Sequence, residues 1–335
     1  MPIVSVGDLS QHFQSLQNSG RIKSDLAKLG QELSTGKVAD VVEKVGGQTR
    51  QLAGVEHSLK VLDSYQRAAV ETTLVLDHMQ FALDRVDENR VAASATLLMI
   101  SDQSQKHQLE SASSAASHAF QDMVSALNSK VAGRALFGGV AVDRAPLASA
   151  NDMLSDLRLN LVGVSSEADF LNIVDTWFND PAGGFASIGY QGDMGPPMTR
   201  SIAQNENVEI SGRADSDAVK RVLHATALGA LSNDGIGMLT QTQYANIPHT
   251  SGVTLLGASS GMVATQTEIG QLQNQVEAAQ TRLSSEQTSL GLLYNDITSA
   301  DPFETATRLQ AVQTQLETHF AVTARLSQMT LADYI

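Results

Sequence analysis

Residues 302–335, PFETATRLQAVQTQLETHFAVTARLSQMTLADYI, decide how the rest of the chain is read. Leu309, Val312, Leu316, Phe320, Thr323, Leu326 and Leu331 recur mostly at steps of three and four, which lays one narrow apolar stripe along one helix face. Upstream the stripe runs through Val263, Ile269, Leu272, Val276, Ala279, Leu283, Leu290, Leu293 and Ile297, with Gln, Thr, Ser and Glu between them. Ala300-Asp301-Pro302 interrupts it: proline lacks a donor and fits a first helical turn, so one helix stops here and another starts. A stripe this narrow cannot stand alone in water and needs a partner helix.

The first third of the chain supplies one. Leu9, Phe13, Leu16, Ile22, Leu26, Leu29 and Leu33 predict an amphipathic helix over about Val6 to Leu33. Gly20 weakens its middle by roughly 1 kcal/mol relative to Ala, so this helix also depends on a neighbour. Ser34-Thr35-Gly36-Lys37 reads as a helix stop, and Val38 to Gly47 as an irregular connector. The spacing of Leu52, Val55, Leu59, Leu62, Ala69, Leu76, Leu83 and Val86 predicts a second helix from about Gln48 to Ser101. At the α-helical rise it would be on the order of 80 Å long, which describes a rod. A third helix, about Gln105 to Ala132, carries Ala112, Ala116 and Ala119, small enough for close helix approach. Gly133 to Gly139 ends it in a sharp reversal.

From about Val140 to Leu256 the texture changes. Most of the prolines and Trp177, the only tryptophan, fall here. Helices are predicted over Asn151–Val162, Ser166–Phe178 and Ala214–Leu231, and a small hairpin over Thr199–Ala203 and Asn207–Ile210. The expected fold class is mainly α: a long antiparallel helical rod or coiled coil made by the N- and C-terminal segments, with a smaller α+β middle domain inserted. The expected division is 1–47, an amphipathic helix and connector; 48–139, the rod; 140–256, the middle domain; 257–299, the C-terminal rod helix; and 300–335, the closing amphipathic helix.

Composition narrows the function. With 42% hydrophobic residues the chain folds, and with 4% aromatics it favours long helices over an enzyme-like core. A formal net charge of −14, with scattered Lys and Arg, argues against nucleic acid or an anionic membrane as partner. The absence of cysteine removes disulfides and thiolate metal sites. The most apolar run, Val91 to Ile100, is about half the length a membrane helix needs, and the start lacks the layout of a cleaved signal peptide.

No catalytic pattern emerges. His12, His57, His78, His107, His118, His224, His249 and His319 never form a His-Glu-x-x-His pair, and no Gly-rich turn leads into Lys-Ser/Thr and a helix. Asp215-Ser216-Asp217 fits a helix cap better than a calcium loop. Asp84, Asp87 and Glu88 beside Arg85 and Arg90 fit a solvated helix face. Neither a metal nor a cofactor is expected.

The terminal stripes, Ser34-Thr35-Gly36-Lys37, Leu136-Phe137-Gly138-Gly139 and the closing run Leu326 to Ile335 together resemble the flagellin superfamily, and within it the hook-associated protein 3 branch, the hook–filament junction proteins. The likeness covers about residues 5–139 and 262–335, with Tyr190-Gln191-Gly192-Asp193 suggestive in between. Val38 to Glu43 stands where the superfamily has a Pro-Ser-Asp-Asp-like loop, so that loop's contacts do not carry over. Ala324-Arg325-Leu326-Ser327-Gln328 replaces the Asn-Gln-x-Pro-Gln stretch of filament flagellins, which points to the junction branch.

The resemblance implies a non-enzymatic structural adaptor, exported through the flagellar type III apparatus without a cleaved signal peptide to the hook–filament junction outside the cell. Its implied partners are a ring of its own copies, an adjacent flagellar hook-associated protein, flagellin and an export chaperone. The assembly interface is expected at Leu9, Phe13, Leu16, Ile22, Leu26, Leu29, Leu33, Leu309, Val312, Leu316, Phe320, Leu326 and Leu331, in terminal regions mobile in the isolated monomer. A self-polymerising filament flagellin and an intracellular helical bundle of signalling or chaperone type are the alternatives.

Overall fold

A computed structural model describes residues 6–46, 49–233 and 239–332. It divides into two units, Met1–Asp63 with Ser285–Ile335, and Ser64–Ser284. Ten α-helices, one π-helical turn and two two-stranded sheets make up the described elements. The expected mainly α fold with a small β part is therefore the one observed.

The first unit holds α1 (Val6–Thr35), the short α2 (Val41–Lys44), the beginning of α3 (Thr49–Leu98), the end of α9 (Ser259–Thr298) and α10 (Pro302–Ala332). α1 packs on α10. Ala300 N donates to Gly36 O at 2.9 Å, and far along both helices Ser15 Oγ lies 3.4 Å from His319 Nε2, so the pair runs antiparallel.

The second unit is built on α4 (Lys106–Leu127), which packs against α7 (Asp217–Leu231) and α8 (Gln241–Gly257). Ala112, Ala116 and Ala119 are all buried, as their size suggested. The approach is close enough that a Cβ built on Gly229 of α7 would meet Ala116 Cβ at 3.1 Å and Leu97 Cδ1 at 2.8 Å. Helix backbones this near let hydroxyls bridge them: Ser113 Oγ donates to Ala230 O (2.7 Å) and Ser251 Oγ to Ala225 O (2.5 Å). Each bond satisfies a buried group that would otherwise cost about 1–3 kcal/mol. Along the same unit α3 and α9 run antiparallel. Gln273 donates to Asp77 (2.7 Å), Gln266 to Asp84 (2.9 Å) and Gln280 to Thr73 (3.0 Å), above buried Leu76, Met79, Leu83, Ile269 and Val276.

Between α4 and α7 the chain makes β1 (Lys130–Val131) and β2 (Arg134–Ala135), joined through Ala132 and Gly133, both with positive φ. Helices α5 (Ala150–Asn160) and α6 (Glu167–Asn179) follow, each capped by the serine before it. A π-helical turn, Phe185–Gly189, then leads to the hairpin of β3 (Met198–Ala203) and β4 (Glu206–Ile210). Trp177, Phe178, Phe185 and Tyr190 form an aromatic cluster, with Trp177 Nε1 donating to Asp156 at 2.7 Å. Tyr190 Oη donates to Asp193 O (3.0 Å), and burial pushes its pKa up to about 12.

Two expectations need correction. Residues 241–257, not read as a helix, form α8, with Pro248 inside it. Arg90, read as part of a solvated face, is buried. Its guanidinium donates to Asp87 (2.6 Å) and to Leu255 O on α8 (3.0 Å), so it closes a helix end rather than facing water.

Candidate assembly interface

The predicted interface residues lie in the first unit, on α1 and α10. Ile22 is buried at 4% exposure; Leu26, Leu29, Leu309, Val312 and Leu316 are half-buried. Phe13, Leu16, Leu33 and Phe320 are exposed, Phe13 at 69%. The side chains of Leu9, Leu326 and Leu331 fall outside the described residues. The two helices thus cover one edge of each other's stripe and leave the other edge in water. Lys23 Nζ sits 5.9 Å from the centre of the Phe320 ring, a cation covering part of that edge.

A junction at the base of the pair sets its register. Gly36 takes φ +67°, the left-handed conformation that ends a helix, and its N–H donates to Glu32 O at 2.8 Å. The chain then pairs with the end of α9: Lys37 bridges Ser299, and Val38 N donates to Thr298 O at 2.9 Å. Lys44 Nζ donates to Ser299 O (2.7 Å) and Asp296 O (3.2 Å), placing a cation where α9 leaves carbonyls unpaired. Asp301 Oδ1 accepts from Phe303 N (2.8 Å) and Glu304 N (3.1 Å), and so starts α10 at Pro302.

Sequence reasoning missed Phe303, exposed at 83% in the first turn of α10. It stands outside the three-four series, six residues before Leu309, so periodicity alone passes over it. Lys44 carries no local signal either, because its partners are more than 250 positions away.

This is a long apolar edge on a helix pair, held in register by hydrogen bonds at one end. It can bury side chains on further helices, at about 1.5–3 kcal/mol for each one fully covered. Residues 255–335 match the bacterial flagellin C-terminal helical region. That span takes in the end of α8, all of α9 and α10. The flagellin-like character expected from the terminal stripes is therefore supported over these residues. Among solved structures, FlgL of Bacillus cereus is similar at 16% identity and a TM-score of 0.50, over 72% of this chain and 99% of that one. A flagellar hook-associated protein from Vibrio parahaemolyticus aligns at 13% identity and a TM-score of 0.46, over 74% of this chain and 96% of that one. At such identity the Bacillus cereus likeness speaks for the fold. No curated protein matches the chain.

Elsewhere the second unit carries an open groove of about 650 Å³ beside Asp156, Asp169, Asn172 and Trp177. Among the described residues no three metal-ligating side chains come together, and no helix is long and apolar enough to cross a membrane.

Proposed function

We propose that the chain is a non-enzymatic structural protein of the bacterial flagellum that joins hook to filament. The observation that carries this reading is the flagellin-like C-terminal region, folded back on α1 with Phe13, Leu16, Phe303 and Phe320 left exposed. Those side chains would be covered by neighbouring copies in a ring, by an adjacent hook-associated protein on one side and by flagellin on the other. Such heterologous packing builds a helical array. Before assembly the chain would travel through the flagellar type III apparatus, with an export chaperone on its terminal stripes. In dilute monomer α1 and α10 would then exchange amide hydrogens far faster than α4 and α7; strong protection across residues 6–35 would count against this.

Deleting the gene separates the readings. Bare hooks with flagellin released into the medium are expected. Normal filaments would remove the axial role, and bare hooks with no flagellin anywhere would identify the chain as the filament subunit. The filament alternative is favoured by the matched region being that of flagellin itself. Adding filament seeds to purified protein tests it, because only a filament subunit elongates them.

A further inference from the structure

In the second unit a pocket of about 270 Å³ opens between α3 and the two small sheets, with Val131, Ala135, Val142 and Met198 among its walls. Its charged lining residues are Arg200 on β3, Arg134 on β2 and Glu71 on α3. The Nε of the Arg200 guanidinium is buried and has no hydrogen-bond acceptor. Glu71 makes a long ion pair of 3.9 Å with Arg200 Nη1, its own side chain 74% exposed, and leaves the Nε side of the guanidinium unmatched. Arg134, also on the pocket wall, has no ion-pair partner among the described residues, and its charge adds to burial in pushing the Arg200 pKa down. Two guanidiniums against the single, largely exposed Glu71 carboxylate leave one positive charge in excess beside an apolar recess and the buried Arg200 Nε without an acceptor; a further carboxylate matches that guanidinium fork. The apolar walls require that this carboxylate arrive with an apolar group. An inorganic anion would leave the walls wet.

A chain with 36 acidic and 22 basic residues offers such a group in a second copy of itself. The turn between α3 and α4 carries Met99, exposed at 81%, and three residues later the exposed Asp102, which makes no hydrogen bond or ion pair among the described residues. An unbranched methionine adapts to a narrow recess better than a branched or aromatic side chain does. Within one copy the turn and the pocket are separated by roughly 35–40 Å of α3, so the turn cannot fill its own pocket. We propose that the Arg200 pocket is a socket for the Met99–Asp102 turn of a second copy, with Met99 between its apolar walls and the Asp102 carboxylate on Arg200 and Arg134. Socket and plug are different patches of the chain, so the contact can repeat from copy to copy. It does not depend on the hook–filament reading, and it leaves the terminal helices out.

The test uses the full chain and two measurements. In sedimentation velocity, Arg200→Glu and Asp102→Arg alone should each weaken self-association at least about tenfold, and mixing the two variants should restore it, because opposite charges then meet again. Since the chain has no cysteine, a Met99→Cys chain mixed with a Met198→Cys chain should give a disulfide-linked heterodimer in excess of either homodimer under mild oxidation. This second measurement holds even where a charge reversal impairs folding. Association unchanged by the reversals, no rescue on mixing, or no excess of the heterodimer would overturn the proposal. Hexanoate bound by wild type and lost in Arg200→Glu, with association unchanged, would give the pocket to a small amphiphilic carboxylate instead.

Discussion

The two units spend similar helices in opposite ways. In the second, α4 has neighbours on several sides, and Phe120, Met123, Leu127, Leu223 and Leu231 are sealed from water. In the first, α1 and α10 have mainly each other, and among the described residues only Ile22, Val55 and Leu62 are buried apolar side chains. Both patterns are amphipathic. The difference lies in the number of layers, because a two-helix layer covers at most one edge of each stripe. A stable fold and an unfinished surface can therefore be written with the same repeat, and burial tells them apart.

The contrast can be broken most sharply by truncating one phenylalanine in each unit. Phe120→Ala should cost about 3–5 kcal/mol, read by urea unfolding followed at Trp177. Phe320→Ala should stay within about 0.5 kcal/mol in the monomer, followed by far-ultraviolet circular dichroism. Equal costs would erase the distinction. Glycines offer a second comparison with opposite signs. A Cβ on Gly184 would fall 1.8 Å from Trp177 Nε1, so Gly184→Ala should destabilise by about 1–3 kcal/mol. Gly20 in α1 has nothing within 4 Å, so Gly20→Ala should raise helix stability by about 0.5–1 kcal/mol. Loss of stability in both would mean that α1 is as tightly enclosed at Gly20 as the chain is at Gly184 against Trp177.

Asp301→Ala removes the cap of α10 and should lower its helicity by about 1 kcal/mol with no change at Trp177. The smallest effect is a pH slope confined to the second unit. His224 Nε2 is buried without a hydrogen bond and lies 4.0 Å from Asp175. Burial pushes its pKa below the usual value, with Asp175 partly opposing. The unfolded chain then takes up the proton more readily. Stability is thus fully present above about pH 6.5 and is lost as pH falls through the lowered folded value. In His224→Phe that part of the slope should vanish from melting curves recorded between about pH 7 and 5. A slope that survives would assign it to other groups.

Much of this architecture was legible because helices announce themselves by period and by punctuation. The helix expected from Gln48 to Ser101 is α3, Thr49–Leu98, and the stop at Ser34-Thr35-Gly36-Lys37 is where α1 ends and Gly36 turns left-handed. The hairpin was readable from its turn residues and weak alternation, and it pairs Thr199 with Glu209 and Ser201 with Asn207. α8 was not readable. Ala245, Ile247, Ser251 and Leu255 are buried, Val253 and Leu256 are exposed, and Pro248 interrupts the series, so no clean stripe forms. The one usable signal was the reciprocal cap of Thr240 and Gln243. Missing α8 also hid the partner of Arg90, since Leu255 O belongs to it. On the interface, the stripe residues were read from period, whereas their exposure depends on how many helices surround them, which no local pattern records.

The junction that fixes α1 against α10 has a meaning in time as well as in space. Lys44 reaches carbonyls 252 and 255 positions later in the chain, and Gly36 accepts from Ala300. Contacts this distant in sequence carry a high closure entropy and form late. On a chain made from its amino end, the second unit can fold while this clasp still lacks its other half. The exposed edge of α1 and α10 thus gains its register only after residues 296–300 have been made, later than most of the second unit.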